Sequence, residues 1–333
     1  MKRSMHNTDK KASSARRAAK AAAAGKAAKA SSAKTVKTSS YAVGRNGFLY
    51  IGGIISAFMS VMIIIGFFWT PYSTTAMSAA NKWAAPSFAH LMGCDNMGRD
   101  IFSRILEGAG TSFLIAVLVV LIGCAGGILI GALTGYFGGI ADEILMRICD
   151  VLTAFPSILL ALVIVAVVGG GKYSITWILG ILFIPSFARV VRADFARARE
   201  MNYVKSARLM GAGPFRIMFR HILPNSLPVI LPSAVIGFNN AILAEASMSY
   251  VGIGVQPPDP SLGRMLSEAH TYIKASPSYV FFVALTIVLL ILGFSMLSEG
   301  LQLRNSSGEK QSGFFGDLFR RFASLFRKRE QAQ

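Results

Sequence analysis

The sequence predicts an all-α integral membrane protein with six transmembrane helices and a short extra helix between the fourth and fifth. Three observations carry that reading. Hydrophobic residues make up 53% of the 333 positions and charged residues 15%, with a mean hydropathy of +0.52, whereas a soluble domain carries about 25% charged residues. The apolar residues gather into blocks approaching the ~20 residues that a helix needs to cross a bilayer. The net charge of +18 sits largely in residues 1–44, and most of the remaining excess lies in short segments between or after those blocks, as expected of loops on one face of a membrane. A soluble chain of this charge would point to nucleic acid; this distribution argues against it.

Taken in order, residues 1–44 hold eleven Lys/Arg, one acid (Asp9) and almost no large apolar side chain. They cannot bury a core and are expected to form a disordered basic tail. The charged region is too long, and the block after it lacks a cleavage site, for a secretory signal. The first block runs from Phe48 to Trp69, ended by Thr70-Pro71; with an extracytoplasmic segment it fills residues 45–110. A five-helix core is expected over 111–303. Its blocks are Thr111 to Gly135, Val151 to Val168, Ser174 to Val191, Leu227 to Val251 and Tyr279 to Leu297. Pro156, Pro185 and Pro232 lie inside blocks, where prolines in lipid kink helices rather than end them. Gly123, Gly126, Gly127, Gly131 and Gly135 favour close packing of the second helix on a neighbour.

A basic tail, 304–333, closes the chain. Phe315, Leu318, Phe319, Phe322, Leu325 and Phe326 recur there at helical spacing, with Arg320, Arg321, Arg327 and Lys328 largely opposite. Such a stripe suits a helix lying on the inner leaflet or packing on a partner subunit.

Orientation follows from lysine and arginine. With the N-terminus cytoplasmic, the inside segments carry 28 and the outside segments 6; without the N-terminal tail the counts are 17 and 6. Both termini are therefore expected in the cytoplasm.

The connection between the fourth and fifth blocks, over residues 192–224, is long and basic. A short helix fits 201–210, with Gly211 as its C-terminal cap and Pro214 opening the next helix. Tyr203, Ser206 or Ala207, and Met210 share a face that could dock into a groove on a cytosolic partner; by physics alone a solvated basic loop is equally open. Glu245 is the one acid well inside an apolar block, so it should line a cavity or brace a partner. Asn239 and Asn240 could line a pathway or bond between helices. Asp150 and Glu299 sit near helix ends, and His221 and His270 are solitary. Cys94, Cys124 and Cys149 form no CxxC pair or Cys/His cluster, which points to neither a metal site nor a disulfide framework. No GxxxxGK[ST] occurs, since Gly169-Gly170-Gly171-Lys172 lacks the spacing, and no nucleophile–base set can be assembled. The chain reads as non-enzymatic, with no cofactor of its own.

Four stretches carry a resemblance. Lys205-Ser206-Ala207, Gly211 and Ile222-Leu223-Pro224 are similar to the EAA loop of binding-protein-dependent ABC importer permeases, with Lys205 where Glu is usual and Ser206 where Ala is. Gly93-Cys94-Asp95-Asn96-Met97-Gly98-Arg99-Asp100 with Ser103-Arg104, Arg147 to Leu162 with Asp150 and Phe155-Pro156, and Glu245 to Pro258 resemble motifs of the oligopeptide/dipeptide/nickel branch, C-type subunit. The resemblance covers about residues 45–305. It implies the type I ABC importer permease fold in a bacterial cell membrane. It also implies a second permease as heterodimer partner, two ABC ATPases that hydrolyse the ATP, a solute-binding protein outside, and peptide, nickel chelate or a similar solute as cargo. Glu200, Tyr203, Val204, Lys205, Ser206, Ala207, Met210 and Gly211 would contact the ATPase; Glu245, Asn239 and Asn240 would line the pathway. The rivals are an ion-driven secondary transporter, which would usually show more helices and repeats, and a channel or scaffold subunit.

Overall fold

The computed structural model describes residues 49–306, with side chains through residue 300. The basic tail expected over 1–44 and the aromatic stripe expected over 315–326 lie outside the described residues. Among the described residues the architecture is helical, with one isolated bridge, Cys94 to Asp100, in place of any strand.

Helix α1, Leu49–Phe68, falls within the first apolar block. Helix α2, Ile101–Phe137, is 37 residues long and starts ten residues before the expected Thr111. Its start is set by capping: Asp100 has extended backbone, and its carboxylate accepts the Ser103 N–H at 2.8 Å. The third span departs from expectation. Val151–Ala154 end α3, Gly139–Ala154, and only Ser157–Val168 form α4, bent from α3 by 85°. Pro156 donates no N–H and disfavours helical backbone at Phe155, which is extended (φ −93°, ψ 143°). In this span the proline breaks the helix instead of kinking it, and α4 covers only about 18 Å of the ~30 Å hydrocarbon core.

Helix α5, Lys172–Arg199, runs through Pro185 as expected. Helix α6, Asn202–Leu209, follows at once, and α7 fills Pro214–Tyr250. The long connection is thus mostly helix. Pro224 does not stop α7; a π-helical turn over Ile217–Ile222 precedes it, which accommodates a residue with no N–H to donate. Helix α8, Leu262–Thr271, is capped by Ser261, and α9 spans Pro277–Ser306. Among the described residues five helices are long and apolar enough to cross a membrane, six if the bent α3–α4 pair is counted as one span.

Successive spans run antiparallel. At one end lie α6 and the α2–α3 turn, tied by Arg199 to the Tyr136 carbonyl at 3.2 Å. Gly300 of α9 rests against Leu49 at that end, so the described chain starts and finishes side by side. The other end holds residues 69–100, the 169–171 turn and α8. The centre is an apolar cluster from α1, α2, α4, α5, α7 and α9, including Met59, Val119, Val165, Leu179, Ile242 and Leu290. Within it α2 lies closely along α5: a Cβ at Gly131 would stand 2.6 Å from the Ala188 carbonyl oxygen, so the glycines of α2 do pack a neighbour. The outer faces remain apolar, with Ile54, Phe68, Val163 and Val167 exposed, as a lipid-facing bundle requires.

Candidate functional site

The α6 end of the bundle is built by three contacts. Val204 and Ala207, one turn apart, are buried among Tyr136 and Ala132 of α2, Val191 and Phe195 of α5, and Ile217 and Met218 of α7. Ala207 therefore faces the body, whereas the sequence had grouped it with the outward face. At the C-terminus the Gly211 N–H bonds the Arg208 carbonyl at 3.0 Å and the Ala212 N–H bonds the Ala207 carbonyl at 3.1 Å. This Schellman pair needs left-handed backbone at the intervening residue, and Gly211 has φ +81°. Arg208 adds a hydrogen bond to the Tyr136 hydroxyl at 3.4 Å, its guanidinium lying 5.7 Å from that ring's centre.

The outward side of α6 carries Tyr203, Lys205, Ser206 and, at its tip, Leu209 and Met210, which are 89% and 80% exposed. Phe215, at the start of α7, is exposed beside this turn in sequence. Lys205 lies 3.8 Å from Glu200, itself 3.3 Å from Arg199; these are surface pairs of small energy. Leu209 and Phe215 were not singled out from sequence, since one exposed apolar residue looks like any other without knowledge of the buried face.

A half-open groove of about 430 Å³ lies between α4, α5 and α7, lined by Ser157, Ser186, Phe187, Ser233, Asn240 and Leu243 among others. Of the three residues expected on a pathway, Asn240 faces this groove. Asn239 turns to α9, donating from Nδ2 to Ser295 Oγ at 2.9 Å. Glu245 is 0% exposed, lines no part of the groove and accepts a hydrogen bond from Ser249 at 2.7 Å.

The opposite end carries an ionic cluster to which sequence reasoning gave no role. Asp95 accepts the N–H groups of Met97 and Arg99 at 2.8 and 2.9 Å. It also pairs with Arg99 at 2.7 Å and Arg104 at 2.6 Å. Arg104 continues to Glu268 at 3.0 Å and the Tyr279 hydroxyl at 3.2 Å, and Glu268 to Arg264 at 3.4 Å. Residues 93–104, α8 and α9 are thereby locked together by buried but mutually paired charges. His90 joins through Asp100 at 2.9 Å. Burial, then Asp100 and Asp95, push the Cys94 thiol up to about 11. The signal available in sequence was the Asp100–Ser103 cap ahead of an apolar run.

A helical bundle with apolar outer faces, a capped short helix at one end and a half-open groove between spans suits a membrane transport subunit. The protein family described as the inner membrane component of binding-protein-dependent transport systems matches residues 127–304. The chain belongs to this family, as a permease component of an ABC importer. It is 41% identical to the glutathione transport system permease protein GsiD of Pectobacterium atrosepticum over 255 residues, covering 74% of this chain and 84% of that protein. It is 36% identical to the dipeptide transport system permease protein DppC of Alkalihalophilus pseudofirmus over 258 residues, covering 78% and 85%. The Haemophilus influenzae DppC is 34% identical over 258 residues, covering 76% and 88%. Among solved structures, a chain of the inward-facing MetNI methionine ABC transporter aligns at TM-score 0.47 and 20% identity, covering 61% of this chain and 94% of that one.

Proposed function

We propose that the chain forms one half of the translocation pathway of a di- or oligopeptide importer, paired with a second, different permease. Two ABC ATPases dock on the α6 end, which is cytoplasmic with both termini. A solute-binding protein delivers cargo at the α8 end. Relatives named as glutathione and dipeptide permeases support peptide cargo. The excess of Lys and Arg in the segments at the α6 end supports the orientation.

The observation that carries this reading is α6 itself. Its inner face is anchored by Val204 and Ala207 and its end is fixed by the Gly211 cap, while large apolar side chains point away from the bundle. Solvent-facing leucine and methionine on a rigid turn suit insertion into a partner's groove. Glu200, Tyr203, Lys205, Ser206 and Met210 would contact the ATPase, and Val204, Ala207 and Gly211 would hold them in place. The groove beside Asn240 would be this subunit's share of the pathway.

The test is Met210→Asp, alone and with Leu209→Asp. Both side chains are exposed, so membrane levels should stay normal while ATPase co-purification falls at least tenfold. Full ATPase retention in the double variant would overturn docking through α6.

A further inference from the structure

We propose that Glu245 is a positioning residue: it clamps residues 251–261 as a plug at the outer end of the pathway, and release of that clamp accompanies opening. The inference rests on the reading above that the α8 end faces outward.

The segment after α7 packs back onto the bundle on both sides of an exposed turn at Gln256–Pro258. The N–H groups of Ile253 and Gly254 both return to the Met248 carbonyl, at 3.1 and 3.0 Å. Val255, Ser261 and Leu262 are wholly buried, and Val255 and Leu262 join the central apolar cluster with residues of α2, α5 and α7. The chain dips into the bundle at Gly254 and Val255, surfaces at Gln256–Pro258 and is buried again from Pro260 into the start of α8.

Three serines from three elements hold it there, and each uses its oxygen for a backbone N–H. Ser249 of α7 accepts from Val255 at 3.1 Å, Ser112 of α2 from Leu262 at 3.2 Å, and Ser261, just ahead of α8, from Arg264 at 3.3 Å. Each hydroxyl still has one proton to donate. Ser249 donates to Glu245 Oε1 at 2.7 Å, and the Ser112 and Ser261 side chains lie close to the same carboxyl group. The carboxyl thus orients the hydroxyl that fixes the middle of the segment and stands beside the two serines that fix its far end. Glu245 Oε2 is buried without a hydrogen bond of its own.

The test uses the complete transporter in membranes, with Val255→Cys as reporter and a membrane-impermeant maleimide applied from outside. The unsubstituted chain gives the background, since Cys94 and Cys149 are buried. V255C should be protected in the resting transporter. Adding Glu245→Gln, which keeps the shape but removes an acceptor oxygen, should raise labelling at least fivefold. Cargo-independent ATP hydrolysis should rise several-fold, with membrane level and ATPase co-purification unchanged. Ser249→Ala should shift both readouts the same way by less, and it decides the matter if E245Q does not accumulate. Unchanged labelling and unchanged basal hydrolysis in an assembled complex would overturn the proposal, as would loss of assembly in both variants, which marks a folding role only. ATPase co-purification with the unsubstituted chain reports separately on the docking reading. Labelling of V255C/E245Q from the opposite face alone would overturn the outward orientation and with it an outer plug.

Discussion

Gly211 shows how one residue fixes the geometry of a whole surface. Nothing lies within 4 Å of where its Cβ would be, so a substitution meets no clash and acts through backbone alone. Left-handed backbone costs an ordinary residue about 1–2 kcal/mol, and a β-branched one is worse placed still. Gly211→Val should therefore weaken ATPase co-purification about tenfold at normal membrane levels, read by quantitative pull-down; full retention would show that the cap does not matter. Arg104 makes the contrasting case. Removing one partner from a buried ionic cluster costs about 3–5 kcal/mol, so Arg104→Met should sharply lower the amount of chain in the membrane on immunoblot, whatever happens at α6. Sequence reached these residues unevenly. Gly211 announces itself, because a glycine after a helical stretch has few other uses. Arg104 hides, because a hydropathy window sees a charge where the structure has a buried, fully paired one. Ala207 shows a further limit: Val204/Ala207 and Tyr203/Ser206/Met210 both recur at helical spacing, and spacing alone does not say which set meets the body.

At the scale of elements, α2 and α5 form one tightly joined pair from Gly123 down to Gly135, and α6 hangs from its lower end through Val204, Ala207 and Arg208. Gly131→Leu would wedge the two backbones apart, at a cost of about 1–3 kcal/mol or more, and should lower the melting temperature of the purified chain in detergent. An unaltered melting temperature would mean that α2 and α5 can separate freely. The apolar runs of α1 and α9, and of α5 as far as Arg189, were legible in sequence because hydropathy is what a span needs. The first three turns of α2 were not, since Arg104 and Glu107 interrupt the run while a side-chain cap, invisible to hydropathy, starts the helix. Helix α3 was missed for a related reason. Its polar positions Asp142 and Asp150 pair with Arg192 at 2.6 Å and Arg189 at 3.1 Å on α5, and these partners are some 40 to 50 residues away in the chain.

For the whole molecule, the two ends differ in chemistry as a permease between two compartments should. One end presents a short apolar-tipped helix among basic segments; the other is a compact cap locked by Asp95, Arg99, Arg104 and Glu268. Ser206→Cys and Phe88→Cys, both at exposed positions on opposite ends, should be labelled by impermeant maleimide from opposite faces of the membrane, Ser206→Cys from the cytoplasm. Labelling of both from one face would contradict the topology. The central claim, that this subunit passes peptide only when separate ATPases act on it through α6, is tested most directly by uptake into proteoliposomes. These would hold the chain with its partner permease, its ATPases and its binding protein, with ATP on the α6 side and labelled dipeptide on the other. Dipeptide should accumulate with ATP, fall at least tenfold when Leu209→Asp/Met210→Asp replaces the native chain, and be indifferent to ionophores. Accumulation that needs an ion gradient instead of ATP, or that survives the double substitution unchanged, would contradict the account.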